Sequence, residues 1–144
     1  MAKNFIKNTS FSLLTLVLSS LIFTFLGFFV VDLLGGASFV GLLVLLFGLL
    51  CFGYFIGREL QFSKVVDVVS IVVLPIIIIA AVYGLFMVVA SVISMILHYP
   101  ATLWLEALNI SADDSSALFY VVVVLHYVVT SFGLLVGAGK KRSK

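Results

Sequence analysis

The chain has 144 residues, of which 64% are hydrophobic and only 10% charged. Soluble domains run at about 45–50% apolar and about 25% charged, so this composition excludes a water-soluble globular fold. The net charge of +2 says little as a sum; where the charges fall says much more.

Four apolar blocks, Phe11–Val31, Phe39–Gly57, Val68–Leu97 and Ala117–Gly139, contain no charged side chain. All eight basic residues lie in alternate gaps: Lys3 and Lys7 before the first block, Arg58 and Lys64 after the second, and Lys140, Lys141, Arg142 and Lys144 after the fourth. The other two gaps hold only acids, Asp32 in one and Glu106, Asp113 and Asp114 in the other. Lys and Arg near span ends mark the cytoplasmic side, whereas acids weigh little in that bias. The expectation is an all-α integral membrane protein, a four-transmembrane-helix bundle with both termini in the cytoplasm. It forms a single membrane domain over 1–144, with spans at about 11–31, 39–57, 70–97 and 116–138. A cell membrane is the expected location, a bacterial cytoplasmic membrane in particular. The first apolar run exceeds the 7–15 residues of a signal-peptide core, so the first span is expected to be retained.

The turn from Asp32 to Ser38 is short and contains Gly35-Gly36, so the first two spans are expected to form a helical hairpin. In the third block, Lys64, Asp67 and Ser70 are spaced by three, a polar stripe on the opening turns of the helix. About 30 uncharged residues as a helix would reach about 45 Å, against a hydrocarbon core of about 30 Å. Pro75 removes a backbone donor, so a bend near it is the expected way to absorb the excess.

Beyond this block, Pro100 opens a segment in which Leu103, Trp104, Ala107 and Leu108 recur on one face. This pattern predicts a short outer interfacial helix between spans three and four, at about 100–109, with Tyr99 and Trp104 as anchors at headgroup level. Asp113, Asp114 and Ser115 then suit the start of the fourth helix, where N–H groups await acceptors.

His126 is the one strongly polar ionisable residue inside an apolar block. It shares a helical face with Thr130, Gly133 and Gly137 at offsets of four, seven and eleven, and small or hydrogen-bonding residues mark helix contacts in membranes. That face is expected to look into the bundle. The third span offers a narrow stripe of Ala80, Gly84, Met87, Ser91, Ser94 and His98 as its partner. His126, Thr130, Ser91 and Ser94 form the candidate intramembrane polar site. A histidine there relays protons, binds a ligand, or simply donates a hydrogen bond to a neighbouring helix. His98 lies near the outer end of its span and His126 about 13 Å deep, a difference in level that argues against shared haem ligation.

Gly53-x-x-x-Gly57 and Gly133-x-x-x-Gly137 fall near the same ends of spans two and four, which run in the same direction. They are expected to support a close parallel contact, within the bundle or between copies; with Gly84 they form the helix-packing set. Cys51 is the single cysteine and has no internal disulfide partner.

No deep carboxylate, arginine or lysine, no metalloprotease or hydrolase motif and no phosphate loop occurs. The expected function is a membrane protein without catalytic equipment and not an enzyme, needing no metal or cofactor. It would act as an accessory, assembly or protective (immunity-type) component through helix–helix contacts. The alternative is a small homo-oligomeric channel or transporter with a path lined by His126, Ser91 and Ser94. Its expected partners are the lipid bilayer and either a larger membrane complex or further copies of itself, with no nucleic acid.

Overall fold

The computed structural model describes residues 2–34, 39–60, 65–86, 88–89, 92–93, 96 and 112–140, without the side chains of 2, 112–119 and 140. Four helices are long and apolar enough to cross a membrane, and among the described residues there is no strand. They are α1 (Ala2–Leu33), α2 (Phe39–Gly57), α3 (Val65–Leu85) and α4 (Ala112–Lys140). Phe25, Phe29, Phe47, Phe55 and Phe132 are each more than half exposed on the outside of the bundle. So much apolar surface is compatible with lipid and not with water, and the protein is membrane-embedded by this criterion.

Burial is uneven. Half of the most apolar window of α4 is buried and 39% of that of α1, against 22% for α2 and 17% for α3. α1 and α4 are the most buried helices, α2 packs most extensively along α4, and α3 is the least buried. Two apolar clusters mark the two ends. Phe23, Val30, Leu45, Leu49, Val122 and Val123 join α1, α2 and α4 towards one end. Leu60, Ile71, Leu134 and Ala138 join the chain after α2 to α3 and α4 at the other. This second end carries the basic residues, since Arg58 follows α2 and Lys3 and Lys7 open α1.

The close of α2 explains how Leu60 comes to lie under the bundle. Past Gly57 the hydrogen bonds tighten to three-residue spacing, with Glu59 N–H on Ile56 O at 3.0 Å and Leu60 N–H on Gly57 O at 2.9 Å. That tight turn swings Leu60 inward, where it is fully buried.

α3 begins at Val65 and runs to Leu85, where Phe86 leaves helical geometry at φ −120°, ψ 41°. Residues 88–89, 92–93 and 96 are again helical, and the rest of the expected 70–97 span beyond Phe86 lies outside the described residues. Instead of a simple proline kink, Val69–Val73 form a π-helical turn directly before Pro75. The Leu74 N–H reaches back five residues to the Val69 carbonyl. Pro75 has no N–H, so an α-helix here would leave the Ile71 carbonyl without its donor, and the wider turn relocates the defect. Ser70, placed by the sequence on a polar stripe at the membrane surface, is fully buried and donates to the Asp67 backbone carbonyl at 2.9 Å.

A candidate intramembrane polar site

A polar layer begins beside the first apolar cluster and extends alongside the second towards the basic end. α1 supplies a row of buried polar residues, Asn8, Ser12, Thr15 and Ser19, at spacings of four, three and four, with Ser20 beside it. Such spacing keeps one face of a helix turned towards the same neighbour. Most of these hydroxyls first satisfy their own backbone. Thr15 Oγ1 donates to Phe11 O at 2.7 Å and Ser19 Oγ to Leu16 O at 2.7 Å. α4 supplies His126, Thr130 and Ser131, all buried, with Thr130 Oγ1 donating to His126 O at 2.8 Å.

Ser20 is the hub of the layer. Its Oγ lies 3.3 Å from His126 Nε2, 3.0 Å from the Tyr127 hydroxyl and 3.4 Å from the Leu16 carbonyl oxygen. Tyr83 of α3 lies beside Tyr127. A serine hydroxyl has one proton to give and two lone pairs. The assignment that satisfies all three contacts has Ser20 donating to Leu16 O while accepting from both His126 Nε2–H and the Tyr127 hydroxyl. The imidazole is fully buried, with ring centroids 3.9 Å from Tyr127 and 5.3 Å from Phe23. One serine thus ties α1 to two neighbouring side chains of α4.

His126 meets Ser20 on α1, a contact that the sequence reading, with its stripe on the third span, does not include. Ser91 and Ser94 lie outside the described residues, as do Tyr99, Trp104, His98 and the whole interfacial segment 100–109. The row on α1 was the missed signal. Its residues carry no charge, and their hydroxyls fold back onto the backbone, so they pass unnoticed inside an apolar block.

A second feature lies deeper towards the basic end. A Cβ at Gly53 would fall on the Thr130 carbonyl oxygen, and one at Gly57 on that of Leu134. The relation is reciprocal: a Cβ at Gly133 would meet the Leu50 carbonyl and one at Gly137 the Tyr54 carbonyl. The glycines of α2 and α4 interlock within one chain, with the backbones of two parallel helices in direct contact and room for weak Cα–H···O bonds. Gly84 does not join this set. It is exposed, and a Cβ there would meet nothing within 4 Å among the described residues.

Chemical equipment is sparse. Among the described residues no three His, Cys, Asp or Glu side chains gather in a way that holds a metal ion. Cys51 is half-buried beside an apolar groove of about 160 Å³ lined by Leu50, Tyr54, Phe132, Gly133 and Val136.

Comparison with family models, curated proteins and solved structures returns no match. The functional reading therefore rests on the bundle alone. What the layer can do chemically is bounded by its enclosure: a buried histidine held between two rings and hydrogen-bonded to a serine is a cross-helix joint.

Proposed function

We propose that this chain is a non-catalytic component of a cytoplasmic membrane, N-in and C-in, that serves a larger membrane complex as an accessory, assembly or protective (immunity-type) subunit. The supporting observation is the uneven burial of its helices. The polar side chains and the interlocked glycines are spent on holding α1, α2 and α4 together. The outer half of α3 is left with Ala80, Ala81 and Gly84 exposed on a thinly buried span. Small residues on a lipid-facing helix permit close approach of another helix. Gentle solubilisation and affinity purification test this reading. A larger membrane protein should co-purify, and Gly84→Leu should release it while leaving the bundle folded. A solitary stable monomer, unaffected by Gly84→Leu, would count against the proposal.

A second reading, transport through this bundle, is favoured by the polar row Asn8–Ser12–Thr15–Ser19 leading from the basic end towards His126. The path would run between α1 and α4 of one chain. Reconstituted protein should then carry a flux that disappears in His126→Ala; no flux from the unsubstituted protein removes this reading.

A further inference from the structure

Two buried hydroxyls in the layer, Ser12 Oγ and Ser131 Oγ, have no hydrogen-bond partner among the described residues. Their neighbours on each helix do: Thr15 and Ser19 on α1 and Thr130 on α4 each donate to a backbone carbonyl. An orphaned hydroxyl inside a membrane bundle carries the full cost of desolvation, so two of them call for an explanation.

The register of the helices brings them within one helical turn of each other in level. α1 and α4 are antiparallel and are pinned together where Ser20 meets His126. From that point Ser12 lies eight residues towards the basic end, about 12 Å along α1, and Ser131 five residues, about 7.5 Å along α4. They are thus about 4.5 Å apart in level. Ser131 belongs to the row Tyr127–Ser131–Leu134–Ala138, and the last two of these pack against Ile71 of the π-helical turn. Ser12 lies on the buried row of α1, a helix that also packs on that turn.

The π-helical turn brings a third polar group. The Leu74 N–H goes to the Val69 carbonyl, and Pro75 has no N–H. The carbonyl of Ser70 therefore loses the donors of both helical patterns, from four and from five residues ahead. Ser70 itself is fully buried. Two hydroxyls and one carbonyl, on three helices that pack on one another at this end, match the two to four polar partners that hold an internal water.

We propose that Ser12, Ser131 and the Ser70 carbonyl bind an internal water that joins the π-helical turn of α3 to α1 and α4. The ligand is water, and the site is independent of the partner-binding role proposed above. It makes the docking of α3 at this end a hydrated joint, one to two helical turns from the Ser20–His126 contact.

Stability and hydration measurements together test this. If each hydroxyl is bonded to a shared water, Ser12→Ala and Ser131→Ala each lower the midpoint of unfolding in mixed detergent micelles. The double variant then falls by less than the sum of the two, because the first substitution already releases the water. If the hydroxyls are orphans, removing either leaves the midpoint unchanged or raises it, which overturns the proposal. Water-edited solid-state NMR of the full chain in lipid bilayers supplies the second readout. Magnetisation from water should reach Ser12 and Ser131 several-fold faster than Leu45 and Leu49 of the apolar cluster. Transfer no faster than to those leucines overturns the proposal whatever the variants do.

Discussion

Ser20 and His126, 106 residues apart in the sequence, meet through Oγ and Nε2 at 3.3 Å in the interior of the bundle. The same Oγ also receives the Tyr127 hydroxyl at 3.0 Å. Ser20→Ala therefore strips two donors of their acceptor at once. Cross-helix hydrogen bonds in membrane proteins average about 0.6 kcal/mol and reach about 1.7 kcal/mol. Ser20→Ala is expected to cost about 1–2 kcal/mol, at the upper end because two bonds share one oxygen. Reversible unfolding in detergent followed by circular dichroism measures it.

Tyr127→Phe should cost less, about 0.5 kcal/mol, since it removes one of these bonds and leaves the His126 contact with Ser20 in place. The effects of Tyr127→Phe and Tyr83→Phe should not add, because the two tyrosines are neighbours. Additive losses would place Tyr83 outside the network.

The interlocked glycines set a sharper contrast. At Gly53 and Gly133 a new methyl group meets backbone, which cannot rotate away. Gly53→Ala and Gly133→Ala should each destabilise by about 1–3 kcal/mol or prevent folding. Gly84→Ala places the same methyl group in open space and should be neutral or stabilising by up to about 1 kcal/mol through helix propensity. The same unfolding assay, run on all three variants, checks both signs.

Much of the bundle was legible in the sequence because lipid enforces a coarse code. Charge-free blocks must be helices, and the four helices follow from that alone. The row His126–Thr130–Gly133–Gly137 was legible for a similar reason: on a helix of Val, Leu and Phe, its small and polar members are the ones that differ. The corresponding row on α1 was not read, although Asn8, Ser12, Thr15 and Ser19 keep a regular spacing. Back-bonded hydroxyls behave almost as apolar groups, and nothing in a single sequence says which neighbour they face. The π-helical turn was hidden for another reason. Pro75 announces a lost hydrogen bond, but whether the chain kinks or inserts a residue depends on packing against Ile71 and Leu134, which is tertiary information.

Pro75→Ala tests that point. With an N–H restored at position 75, α3 is free to revert to regular α-helix, which rotates everything beyond it by about 100°. Tyr83 would then turn away from Tyr127, and the coupling between Tyr83→Phe and Tyr127→Phe should vanish in the Pro75→Ala background. Persistence of that coupling would mean that the π-helical turn is held by its surroundings and not by the proline.

The most direct test concerns the joint between α1 and α4. A double-mutant cycle of Ser20→Ala and His126→Ala in lipid bicelles measures the coupling of the two side chains, free of the cavity that His126→Ala leaves. A favourable coupling of about 0.6–1.7 kcal/mol is expected if this contact ties the helices together. Strict additivity of the two substitutions would contradict it and return His126 to some other partner.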